Sequence, residues 1–179
     1  MSGRVVWITG LSGAGKSTVS AHLRPHLLRA DPKTIFLDGD DLRAVMAAAS
    51  VDGADHGRAQ RLELAQRYAR LCRLLALQNF TVVIATISLF REVHEWNRNN
   101  LPGYVEVYLK VPVEELRRRD PKGLYRRHLA GDTRNVAGLD FSIDEPDAAD
   151  LVFDWVPGST AETIAADILH HLQREMIRT

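Results

Sequence analysis

At 179 residues, with 45% hydrophobic and 26% charged residues, the chain has the length of one folded domain and a composition unlike that of disordered or fibrous proteins. Lys plus Arg (23) equal Asp plus Glu (23), so no global basic field marks a dedicated nucleic-acid binder, and the same balance excludes a strongly acidic calcium-buffer chain. The single cysteine, Cys72, closes no internal disulfide or Cys-rich zinc site, and no stretch approaches the roughly 18 apolar residues of a membrane span, so a cytoplasmic domain engaging neither membrane nor nucleic acid is expected.

Arg4 to Thr9 is a short apolar run with strand character, stopped by Gly10. The next residues, Gly10-Leu11-Ser12-Gly13-Ala14-Gly15-Lys16-Ser17, match the phosphate-loop pattern G-x-x-x-x-G-K-[ST], with a strand before them and a helix after. The glycines let the backbone curl so that successive N–H groups point at phosphate oxygens, and the helix N-terminus adds partial positive charge there. Lys16 is placed to reach the β- and γ-phosphates, and the Ser17 hydroxyl to ligate Mg²⁺. The helix predicted from Lys16 to about Arg24 meets Pro25, which either ends or kinks it.

A second strand, Thr34 to Leu37, runs into Asp38-Gly39-Asp40-Asp41, which reads as a turn at the sheet edge where α/β proteins bind ligands. Carboxylates there can hold Mg²⁺ or accept the proton of an attacking hydroxyl, and Arg43, a turn later, is placed to meet an anion. From about Gly57 to Gln78, apolar residues recur at helical spacing. Thr81 to Ile87 lacks alternation, as in a central parallel strand. Val105 to Val111 reads as another strand and Val113 to Arg119 as a helix. Leu151 to Trp155 reads as the last strand, and Ser159 to Arg174 as the closing helix. This alternation predicts a three-layer α/β fold, with a mostly parallel sheet of about five strands covered on both sides.

Residues 120–147 break that rhythm. Between 117 and 134 stand seven basic residues (Arg117, Arg118, Arg119, Lys122, Arg126, Arg127, Arg134) against Asp120 and Asp132. An Arg-rich lid closing over a γ-phosphate accounts for that excess, with Pro121, Gly123 and Gly131 as stiff and loose points. Trp7 and Trp155 are expected in the core, as is Cys72. Trp96 packs a helix on the sheet or offers a stacking face, and the seven histidines show no metal-binding spacing.

A phosphate loop by itself implies a nucleoside triphosphate and Mg²⁺, and it occurs in GTPases, motor ATPases and small-molecule kinases alike. The absence of an Asn-Lys-x-Asp box and the short chain favour a kinase using ATP, with a regulatory ATPase as the rival.

Taken together, the phosphate loop through Thr18, Leu37-Asp38-Gly39-Asp40 with Arg43, Ile87-Ser88-x-Phe90-Arg91, Glu106-Val107-Tyr108, Arg119-Asp120-Pro121-Lys122-Gly123-Leu124-Tyr125 and Gly138-x-Asp140 resemble the adenylylsulfate kinase family of P-loop kinases. The resemblance implies transfer of the ATP γ-phosphate to the ribose 3′-hydroxyl of adenylyl sulfate, in sulfate assimilation, by a homodimer. It implies Asp40 as base at the acceptor hydroxyl, with Ser17 and Asp40 at the metal and Lys16 and Lys122 in the catalytic set. Asp38, Arg43, Arg61, Ile87, Ser88 and Lys122 would hold the acceptor nucleotide, and Arg119 would lie on the ATP side.

Some positions depart from the family pattern. Asn135-Val136-Ala137-Gly138 stands where the family has Asn-Phe-Thr-Gly, no Gly-Phe-Ser counterpart occurs around Val51 to Asp55, and Leu64 replaces an Asn. Ser88-Leu89-Phe90-Arg91 replaces Ser-Pro-Phe-Arg. The Ser88 to Arg98 stretch and Asn135-Val136 also resemble the cytidine diphosphoramidate kinases of bacterial capsule pathways, which phosphorylate a 3′-hydroxyl too. The alternative acceptor is therefore a cytidine diphosphoramidate-like nucleotide.

Overall fold

The computed structural model describes residues 3–46 and 57–178. Five strands, β1 (Arg4–Thr9), β2 (Ile35–Asp38), β3 (Thr81–Thr86), β4 (Tyr104–Lys110) and β5 (Leu151–Asp154), form one sheet in the order β2-β3-β1-β4-β5. Every pairing is parallel. β1 lies at the centre, with Trp7 level with Ile84 on one side and Glu106 on the other.

Strand alternation sorts the core into two layers. Val6, Ile8, Val83 and Val107 face α1 (Lys16–Ala30) and α7 (Ala161–Arg178). Val5, Trp7, Val82 and Ile84 face α3 (Arg58–Ala76) and α4 (Arg91–Asn100). Because both faces of β1 are covered, its run carries no polar alternation, and Val5 to Ile8 are fully buried. The three-layer parallel architecture expected from the sequence is the one observed.

The differences from the sequence reading are local. α1 continues past Pro25 to Ala30. Pro25 and Ala21 both lie on the exposed side, so the carbonyl freed by the missing N–H faces water, while Leu23 and Leu27 keep the next turn against the core. Asp38-Gly39-Asp40 is not a free turn, because β2 passes directly into α2 (Gly39–Met46) and the Asp40 N–H donates to Asp38 Oδ1 at 2.9 Å.

α4 occupies Arg91–Asn100, a stretch to which the sequence pattern assigned no helix. Residues 120–147 are also more ordered than a plain lid. After α5 (Val113–Arg119) they contain α6 (Leu124–Leu129), whose start is held by the Asp120 carboxylate accepting from the N–H groups of Tyr125 and Arg126. Trp7 and Cys72 are core residues, but Trp155 lies beyond β5 and is only half-buried, lining a cavity instead. Trp96 packs against the α3–α4 side of the core. The expectation about Val51 to Asp55 falls outside the described residues.

Candidate active site

The C-terminal ends of β1, β2 and β3 converge on one edge. There the phosphate loop curls with left-handed φ at Gly13 (81°) and Gly15 (97°), a conformation that side chains oppose. Lys16 folds its ammonium back onto the Leu11 carbonyl at 2.9 Å. Desolvation, reinforced by the nearby Lys122 charge, lowers its pKa to about 8. The loop's other side is braced by Tyr125 of α6, whose hydroxyl donates to the Ser12 carbonyl at 3.0 Å. Gly10 lies so close to β4 that an added Cβ would sit 2.7 Å from the Leu109 carbonyl oxygen.

Beside this loop the acids of β2 and α2 separate into two roles. The Ser17 hydroxyl donates to Asp38 Oδ2 at 2.5 Å, so Asp38, rather than Asp40, meets the phosphate-loop serine. Asp40 instead receives Lys122 Nζ on Oδ2 and Arg43 at 3.1 Å on Oδ1. Burial alone would raise its pKa. The hydrogen bond and charge of Lys122, with the charges of Arg43 and Lys16, outweigh that and lower it. Lys122 reaches Asp40 from the start of the lid, across 82 residues of sequence. Gly39 lets the start of α2 lie close against β3, since a Cβ there would stand 2.8 Å from Thr86 Oγ1.

Two cavities lie near this edge, one of them lined by the loop itself. One, of about 320 Å³, is lined by Ala14, Gly15, Thr18, Arg119, Trp155 and residues of β5 and α7. Arg119 is bonded to Glu115 at 2.7 Å, and its guanidinium lies 5.9 Å from the Trp155 ring. The other is a tight cavity of about 30 Å³, lined by Arg43, Arg61, Ile87 and Ser88 together with Leu64, Tyr68, Phe90, Phe141 and Ile143. Ser88 is held there with φ of 26°, its hydroxyl 2.9 Å from that of Thr86, while Thr9 Oγ1 donates to the Ile87 carbonyl. Arg61 lies 5.7 Å from the Phe141 ring; burial, then the Arg43 charge, lowers its pKa.

The structure places the phosphate loop, Asp38, Asp40, Arg43, Lys122 and the residues lining the two cavities at one edge of the sheet. Two of the other lid arginines are engaged within the lid and the helix before it. Arg118 bonds Glu115 and Arg127 bonds the Lys122 carbonyl. Sequence reasoning missed Tyr68, Phe141 and Trp155. Phe141 carries a signal, an aromatic three residues beyond Gly138, although the family's aromatic position itself holds Val136. Tyr68 falls on the apolar stripe of α3, and its hydroxyl, donating to the Gly39 carbonyl at 3.0 Å, ties α3 to the start of α2.

The sequence profile for adenylylsulphate kinase matches residues 2–154. The chain belongs to the adenylylsulphate kinase family. A cytidine diphosphoramidate kinase of Campylobacter jejuni is 37% identical over 150 residues, which cover 84% of this chain and 85% of that protein. An adenylyl-sulfate kinase of Pseudomonas aeruginosa is 35% identical over 152 residues, 84% of this chain and 76% of that one. The Mycobacterium tuberculosis APS kinase, solved in complex with AMPPNP and APS, superposes with a TM-score of 0.83 at 31% identity, covering 96% of this chain and 98% of that chain. Family membership makes this kinase an ATP-dependent phosphotransferase acting on a hydroxyl group. Among the described residues, no helix is long and apolar enough to cross a membrane.

Proposed function

We propose that this kinase transfers the γ-phosphoryl group of ATP to the ribose 3′-hydroxyl of adenylyl sulfate. The observation that supports this reading best is the placement of Asp40. It stands between the phosphate loop and the Arg43–Arg61 cavity, with Lys122 and Arg43 on its two oxygens.

In this reading ATP lies with its phosphates on the backbone N–H groups of residues 10–17 and its base in the larger cavity, near Arg119 and Trp155. The acceptor occupies the smaller cavity. Arg43 and Arg61 face its anionic groups, the Ile87–Ser88 backbone meets its polar edge, and Phe141 and Phe90 supply apolar faces for its base. Lys16 reaches the β- and γ-phosphates. Its desolvated ammonium gains most by meeting them, because the phosphates restore the partner that burial removed.

Ser17 and Asp38 fit a magnesium site, since this ion takes a hydroxyl and one or two carboxylates and fills its remaining positions with phosphate oxygens and water. Bound there, it would neutralise charge on the β- and γ-oxygens. The paired carboxylate is then Asp38, and Asp40 is left for the acceptor. Kept ionised, Asp40 accepts the hydrogen bond of the 3′-hydroxyl, orients its oxygen toward the γ-phosphorus and takes its proton as the new P–O bond forms. The β–γ bridging oxygen leaves with ADP. Lys122, freed from Asp40 by the incoming hydroxyl, is within reach of the transferring oxygens. Positioning and electrostatics therefore account for most of the rate.

A second reading retains the reaction and changes the acceptor to a cytidine diphosphoramidate-like nucleotide. It is favoured by the Campylobacter relative and by Val136 standing where the family carries an aromatic. One experiment separates these readings: coupled ADP release measured with adenylyl sulfate, with cytidine diphosphate derivatives and with nucleoside monophosphates. Saturable release with adenylyl sulfate alone supports the first reading. Preference for the cytidine compound refutes it, and hydrolysis unaffected by any nucleotide refutes both. A homodimer belongs to the same proposal and is read by light scattering.

A further inference from the structure

Glu106 lies in the middle of β4 with its side chain 3% exposed, where an isolated carboxylate would be costly. The Tyr104 hydroxyl donates to its Oε1 at 2.9 Å, and His94 Nδ1 stands 2.6 Å from the same oxygen. The other ring nitrogen, His94 Nε2, lies 3.0 Å from the backbone carbonyl oxygen of Asp144. A carbonyl can only accept, so Nε2 carries a hydrogen, and a second hydrogen is needed between Nδ1 and the carboxylate. The pair therefore holds one proton more than a neutral imidazole beside a free carboxylate. Arg98 and Asp150, bonded to each other at 2.9 Å and both packed on Glu106, add one charge of each sign.

The far end of this cluster bears on the smaller cavity. Asp144 is held by three further bonds: its N–H donates to the Leu89 carbonyl at 3.1 Å, and its carboxylate accepts from the Arg91 N–H at 3.2 Å and from Arg58 at 2.9 Å. Leu89 and Phe90 on one side of that clamp, and Phe141 and Ile143 on the other, line the cavity. His94 itself does not touch it. At about 30 Å³ the cavity is smaller than a nucleotide needs, so how this wall is held bears on acceptor fit.

We propose that His94 is a positioning residue for the acceptor nucleotide. By donating Nε2–H to the Asp144 carbonyl while sharing a proton with buried Glu106, it anchors the root of the wall that Phe141 and Ile143 present to the acceptor. The proposal rests on the reading of the smaller cavity as the acceptor site.

Two polar substitutions divide the roles of the ring. In His94→Gln the side-chain amide can still donate to the Asp144 carbonyl. In His94→Asn the shorter amide reaches toward Glu106 and leaves that carbonyl unserved. Steady-state kinetics with whichever nucleotide the wild-type enzyme accepts should show the acceptor KM of His94→Asn raised about tenfold to 100-fold. Its ATP KM should be unchanged, and His94→Gln should recover most of the loss. Hydrogen exchange, read without any substrate, should show faster exchange in His94→Asn than in His94→Gln at the Asp144 amide and at the Gly138 amide, which donates to the Phe141 carbonyl at 3.1 Å. Nitrogen-15 spectra of the wild type should show a hydrogen on His94 Nε2.

Equal acceptor KM in the two variants, ATP and acceptor KM rising together, or a ring protonated only at Nδ1 would each overturn the proposal. If the wild type accepts no nucleotide, the functional reading fails, and the exchange and nitrogen measurements still decide the anchoring.

Discussion

Replacing Asp40 by alanine separates binding from chemistry at this site. Asp40 is about half exposed, with 49% of its side chain accessible, and its ion pairs with Lys122 and Arg43 are correspondingly screened. Their loss should cost about 1 kcal/mol of stability or less. The helix start survives too, because the bond to Asp38 comes from the Asp40 backbone N–H, which the substitution retains. ATP affinity should change little, since the phosphate loop, Lys16 and Ser17 are untouched.

Turnover should behave differently. A positioned acid or base contributes roughly 100-fold to 10,000-fold, which corresponds to about 3–5 kcal/mol of barrier. Removing the carboxylate also leaves Lys16, Lys122 and Arg43 without the anion that separates them. The measurement is coupled ADP release at saturating ATP and acceptor, beside calorimetric titration with a non-hydrolysable ATP analogue. A kcat within a few-fold of wild type, with ATP binding intact, would refute the role given to Asp40. A loss of ATP binding as large as the loss of turnover would place Asp40 on the triphosphate instead.

Lys16, whose pKa burial lowers to about 8, should be partly neutral in the free enzyme above that pH and recharged by bound phosphates. ATP binding should therefore take up protons in calorimetry at about pH 8.5 and weaken as the pH rises further, whereas uptake indistinguishable from zero would contradict the assignment. Phe141→Ala should raise the acceptor KM by the equivalent of about 1–3 kcal/mol of stacking and leave the ATP KM alone, and an unchanged acceptor KM would remove Phe141 from the acceptor site. Trp155→Ala should do the reverse, raising the ATP KM with the acceptor KM steady. Gly39→Ala should lower the melting temperature by the equivalent of about 1–3 kcal/mol, because its Cβ would press on Thr86 Oγ1 at 2.8 Å, and an unshifted melting curve would show that α2 adjusts freely.

The phosphate loop, the parallel sheet and the Asp-Gly-Asp step were all legible in the sequence because each rests on local chemistry. Glycines at fixed spacing, an unbroken apolar run and a cluster of like charges state their requirements within about ten residues. α4 was not legible, since Arg91–Asn100 is mostly polar and fully buries only Val93, His94 and Asn97, with Trp96 partly buried beside them. Trp155 was misplaced for a related reason: an aromatic beside a strand looks like core until the strand's end is known.

The residues 10–17 cradle and the layers covering it were determined by the sequence alone, because backbone curvature and burial periodicity act between near neighbours. Which acid serves which partner was decided only by tertiary structure. Asp38 and Asp40 are indistinguishable two residues apart in the chain. They diverge when β2 points one at Ser17 and the opening turn of α2 swings the other toward Lys122, which arrives from 82 residues away. The same holds for Glu106, His94 and Asp144, whose shared proton and bonds exist only where β4, α4 and the lid's root meet. Long-range charge pairing depends on distances that no local pattern encodes.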